Sequence, residues 1–155
     1  MKPIQTSTWQ TIAGIVLAII CWPLVLLIIT YLYLLFSIIR HDNLNDPYFL
    51  YGTSLFAAGG AGYAAIAINN QLLPKANLKI IFWCFSSVIL LYSPILPLGI
   101  IAFTDDLTYV WTEQVFTFIQ GLVTIFSALI CLRKIEKERK DWEETFQKMM
   151  NHLNG

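Results

Sequence analysis

Charge is scarce in this chain. Only 13% of its 155 residues are Asp, Glu, Lys or Arg, whereas soluble domains carry about 25%. Between Asp46 and Asp105 the only charged residues are Lys75 and Lys79. The formal net charge is zero, so no global field points to nucleic acid as a direct partner. Cysteine is scarce as well. Cys21, Cys84 and Cys131 all fall in apolar runs, none forms C-x-x-C, and their number is odd. That argues against a disulfide framework and a zinc site, and leaves them as small buried residues. There is no A-x-A cleavage site after the first apolar run, Ile12 to Ile39. That run also exceeds the roughly 7–15 residues of a signal-peptide core, so it reads as a retained span.

The missing acids decide the meaning of one motif. Gly60, Gly62 and Ala65 spell G-x-G-x-x-A, a form of the dinucleotide-binding fingerprint. That fingerprint needs a strand before it and an acidic residue about 20 positions on. No Asp or Glu occurs between Asp46 and Asp105, and the motif sits within an apolar run. The nucleotide reading therefore fails. No phosphate loop and no serine–histidine–acid set is visible, and the loops are too short for a substrate domain. His41, Asp42 and Asp46 lie close in sequence but read as an exposed turn, not a metal site. The expectation is a non-enzymatic protein without cofactor or metal.

Long apolar runs are abundant. Spans are expected at about 11–39, 48–68, 78–103 and 109–132, since about 20 apolar residues cross the ~30 Å hydrocarbon core. The first is long enough to require tilt, a kink or protrusion, with Pro23 the expected kink. Pro94 and Pro97 should distort the third. Short connections predict that helices adjacent in sequence are antiparallel neighbours. Nine of the ten basic residues fall on one side, and only Arg40 on the other. By the positive-inside rule both termini are cytoplasmic. The expected fold is an all-α integral membrane four-helix bundle (1–132) followed by a cytoplasmic amphipathic helix (133–155).

Two intramembrane constellations stand out. On the fourth span Glu113, Thr117, Gln120, Thr124, Ser127 and Cys131 recur at steps of three and four, one polar stripe on a helix face. It either packs between helices or lines a water path. On the second span Ala57, Ala58, Gly60, Ala61, Gly62, Ala64 and Ala65 form a small-residue surface for close helix approach. That surface meets either its own protomer or a neighbour.

The tail, RKIEKERKDWEETFQKMMNHLNG, divides into two halves. Arg133, Lys134, Lys137, Arg139 and Lys140 suit anionic headgroups on the cytoplasmic face. Ile135, Trp142, Phe146, Met149 and Leu153 share a stripe, with Met150 beside it. That stripe either folds back on the chain or docks a soluble protein.

Four spans, the outer loops RHDNLNDP and TDDLT, and the tail RKIEKERKDWEETFQKMM together resemble the membrane subunit of the Kiwa anti-phage system. The resemblance is one of plan and carries over no site residue. It implies a homotetramer in the bacterial inner membrane, sensing of phage at the envelope, and a cytoplasmic DNA-binding partner subunit. The expected function is an oligomeric membrane sensor or anchor that recruits a soluble effector. The alternative is a holin-like pore lined by the fourth-span stripe.

Overall fold

The computed structural model describes residues 6–40, 47–101 and 107–153, with side chains for 6–32, 34–36, 38, 51–92 and 114–151. The chain is all-helical over these residues. Helix α1 spans Thr8–Arg40, α2 Pro47–Leu72, α3 Leu78–Ile101 and α4 Leu107–Leu153. The connections at 41–46 and 102–106, with the expected His41, Asp42 and Asp46 turn, lie outside the described residues. Helix α1 continues through Pro23, and α3 through Pro94 and Pro97. The segment expected as the fourth span and the tail are one unbroken helix of 47 residues.

Local chemistry sets the helix starts. Ser7 caps α1, its Oγ accepting from Gln10 N at 3.4 Å. Asn77 caps α3, its Oδ1 accepting from Lys79 N at 3.2 Å and Ile80 N at 3.3 Å. The α2–α3 loop is then fastened to the start of α1. Ser7 N donates to Lys75 O, Lys75 N to Gln10 Oε1, and Asn77 N to Thr11 Oγ1, each at 3.0 Å. These bonds put the starts of α1 and α3 side by side, so the two helices run parallel.

The bundle is two antiparallel hairpins, α1–α2 and α3–α4, laid against each other. Helix α2 packs mainly on α4 and α1, and α3 on α4 and α1. Helices α2 and α3 touch only slightly, and α1 and α4 do not meet among the described residues. This corrects the expectation that every consecutive pair would be neighbours: α2 and α3 stand on a diagonal. The reason is the side chains. Phe82, Phe85 and Ile89 of α3 fill the middle of the bundle, with Ile66 and Ile81 fully buried beside them. The close approach that small residues permit is made by α4 instead.

Large apolar side chains also cover the outside. Along α1, Ile12, Val16, Ile20, Leu24, Leu27 and Leu32 are all about half exposed or more. Along α4, Val115, Phe118, Leu122, Phe126 and Ile130 do the same. Two helices, α1 and α4, are long and apolar enough to cross a membrane. The described apolar part of α3, Leu78–Tyr92, is shorter. Helix α2 is uncharged, but its Ala and Gly content makes it less apolar.

Candidate functional site: the α2–α4 seam and the free end of α4

The polar stripe and the small-residue surface meet in one interface. Gln120 Nε2 donates to Ser54 Oγ at 2.8 Å. Thr124 Oγ1 donates to Ala58 O at 3.3 Å, and Ser127 Oγ to Gly59 O at 2.6 Å. The partners advance together along both helices, so α2 and α4 are parallel. Two further bonds return to α4 itself: Thr124 Oγ1 to Gln120 O at 2.9 Å and Ser127 Oγ to Thr124 O at 3.1 Å. Each hydroxyl thus sits between two carbonyls, one on each helix.

Such contacts need the backbones to approach closely. Ala57, Ala58, Ala61 and Ala65 are fully buried, and Gly62 is buried as well. A Cβ placed on Gly62 would run into the Thr124 carbonyl and lie 2.6 Å from Ser127 Oγ. Gly60 and Ala64 are partly buried, with Ile29 of α1 against Gly60. The small-residue surface is therefore used inside the protomer, against α4 on one side and α1 on the other. Thr117 lies further along the stripe and faces a cavity with Gln120 and Thr124. The side chain of Glu113 is outside the described residues.

Several contributors carry little sequence signal of their own. Ser54 is one serine among many. Gly14 in α1 gives room to Ile81 and to Asn69, whose Oδ1 would lie 2.7 Å from a Cβ there. Asn69 is fully buried, and its Nδ2 donates to Ala65 O at 2.8 Å. An asparagine within an uncharged helix is the one signal that could have marked it.

The tail splits differently from the expected docking stripe. Ile135 is buried at the foot of the bundle, 8% exposed, and belongs to the core. It is therefore removed from the docking surface. Arg139 Nη2 donates to Asn70 Oδ1 at 2.6 Å, and Lys79 pairs with Glu136 at 3.3 Å. These contacts hold the first two turns of the tail against the bundle. Arg133, Lys134, Lys137, Arg139 and Lys140 are all exposed there. Beyond Lys140, Trp142 is 68% exposed and stacks on Phe146, with ring centroids 5.8 Å apart and planes 14° apart. Met149 and Met150 are exposed beside them. The side chain of Leu153 lies outside the described residues.

Among the described residues no group of three His, Cys, Asp or Glu could hold a metal ion. No family model, curated protein or solved structure matches the chain.

Proposed function

We propose that this chain is a non-enzymatic membrane protein with four spans and both termini in the cytoplasm, and that the end of α4 holds a soluble protein. The observation that carries this reading is the unbroken α4. It leaves the apolar bundle and ends in a helix on which Trp142, Met149 and Met150 are exposed and Phe146, half-buried, stacks on Trp142. A rigid helix passes position and orientation from the bundle to whatever it holds. Asp141, Glu143 and Glu144 flank the aromatics with Lys148 the single base, so the partner would offer an apolar groove with a basic rim.

The four-span reading has its own support. Helix α2 is flanked by α1 and α4, so its small residues meet protein and need not be large for lipid. Phe56 of α2, and Trp83, Leu90 and Leu91 of α3, are exposed like the outer residues of α1 and α4. An aqueous surface rarely leaves so much contiguous apolar area uncovered, whereas hydrocarbon covers it at no cost. The Kiwa-like plan extends the proposal to a homotetramer in the bacterial inner membrane that responds to phage. Membrane lipid, further copies of the chain and a cytoplasmic subunit would then be its partners.

Topology is directly testable. With Cys21, Cys84 and Cys131 replaced by alanine, Asn43→Cys should react with a membrane-impermeant maleimide on intact spheroplasts. His152→Cys should react only after lysis. Labelling of both from outside would overturn the orientation.

The α2–α4 bonds weaken the motive for a pore, because Gln120, Thr124 and Ser127 of the polar stripe are already bonded to α2. Gln120→Leu should lower stability by only about 0.6 kcal/mol, the usual worth of such a bond in a membrane. Liposomes containing either form should pass ions no faster than empty ones. A flux that Gln120→Leu alters would instead support the pore.

A further inference from the structure

One face of α4 changes character along its length. Leu122, Phe126 and Ile130 point away from the bundle and are 45%, 65% and 49% exposed. Steps of three and four carry the same face on to Arg133, Lys137 and Lys140, all exposed. One turn further it reaches Glu144, also exposed. The face is apolar, then basic, then acidic, on one unbroken helix.

The basic band is unoccupied by the protein's own acids. Two neighbouring cations are already used, Lys79 in its pair with Glu136 and Arg139 in its bond to Asn70. Arg133, Lys137 and Lys140 make no ion pair or side-chain hydrogen bond among the described residues. Lys134 is exposed as well, but it lies about 100° around the helix from Arg133, off this face.

Helix α3 fixes the depth of the band in the proposed topology. Lys79 is level with Glu136, since they pair at 3.3 Å. Trp83 lies ~6 Å further along α3, and Arg133 ~4.5 Å back along the antiparallel α4. Trp83, 69% exposed, is therefore close to level with Arg133. Exposed tryptophan gathers where headgroups meet hydrocarbon. A headgroup layer is about 5–8 Å thick. Arg133 and Lys137 fall within it, and Lys140 reaches back to it along its flexible stem. Glu144, about 16 Å from Arg133, stands clear of it.

We infer that this face binds an anionic phospholipid of the cytoplasmic leaflet, with an acyl chain along Phe126 and Ile130 and the phosphate between Arg133 and Lys137. Residues four apart on a helix have Cβ atoms about 5–6 Å from each other, so both cations converge on one phosphate. A soluble anion would match only the basic half of the face. The same anionic surface repels Asp141, Glu143 and Glu144, which keeps Trp142 and Phe146 from lying down on the bilayer. The lipid site rests on the membrane placement proposed above. The maleimide labelling reads that placement separately, so a chain that labels as expected yet shows no lipid preference counts against the lipid site alone.

The test is native mass spectrometry of the full chain in detergent with equal amounts of dioleoylphosphatidylglycerol and dioleoylphosphatidylcholine. The two lipids share their chains and differ in headgroup charge. A basic residue near an anionic surface is worth about fivefold in binding. Wild type should therefore retain the anionic lipid about tenfold or more over the zwitterionic one. Arg133→Gln with Lys137→Gln and Lys140→Gln should retain both equally. Lys134→Gln with Lys148→Gln, both outside the band, should keep the preference. Glycerophosphoglycerol, the same headgroup without chains, should not displace the lipid at equal concentration. Equal retention of the two lipids by wild type would overturn the proposal, as would an undiminished preference in the triple variant. Loss of the preference in the Lys134 and Lys148 variant, or displacement by the chainless headgroup, would overturn it too, the first by showing a general charge effect and the second a site for soluble phosphates.

Discussion

Replacing Gly62 with leucine should prevent the bundle from closing. The obstacle is backbone, not side chain. A Cβ at this position runs into the Thr124 carbonyl, which is fixed within α4 and cannot rotate aside. The helices must separate, and separation lengthens the contacts above and below. Ser127 would lose its 2.6 Å bond to Gly59 O, and Gln120 its 2.8 Å bond to Ser54. Overpacking alone costs about 1–3 kcal/mol. With the interhelical bonds added, the loss should reach about 3 kcal/mol or more. Gly62→Ala carries the same Cβ and should already suffer most of this. Gly59→Ala is the control, because its Cβ would meet Val123 Cγ1 at an ordinary 3.6 Å. Gly60→Ala should fall between, since it presses only on the flexible end of Ile29. Unfolding of the purified variants by SDS would rank them. If Gly62→Ala were as stable as Gly59→Ala, the helices would not approach as closely as described.

The same glycine shows what could be read before the fold was known. Charge gaps located the helices, because a run without Lys, Arg, Asp or Glu is a physical signal that needs no partner. The small residues of α2 and the hydroxyls of α4 were each visible as patterns at helical spacing. Their meeting was not, because no local rule states which helix a surface will find. The neighbour rule favoured α3 for α2, and the structure places α4 there. The turn permits it: the five residues from Leu73 to Asn77 reach up to ~17 Å when extended, beyond the diagonal of helices 8–10 Å apart. Ile135 failed for a related reason. Its spacing matched Trp142 and Phe146, but α4 is still against the bundle at Ile135 and free at Trp142. Periodicity gives a face, not the point where the neighbour ends.

If the end of α4 holds a soluble protein as proposed, Trp142→Ala combined with Phe146→Ala should release it while leaving the helical bundle intact. Both rings lie beyond Arg139, the last residue of the tail seen to bond with the bundle. Their loss should therefore leave the unfolding midpoint within error of wild type. At an interface, paired aromatic anchors each cost about 2 kcal/mol or more when truncated. Losing both should weaken capture by about a thousandfold if the two losses add. The experiment co-expresses the chain with the products of neighbouring genes and measures which soluble protein is retained with it in detergent. Glu143→Lys with Glu144→Lys is the companion variant. It keeps the rings but inverts the charge a basic rim would meet, so it should slow association and reverse its salt dependence. Loss of the partner in both variants with an unchanged bundle would fit a helix that docks by apolar anchors within an acidic setting. Full retention by the double alanine variant would show that these rings hold no partner, and the recruiting function would have to be given up.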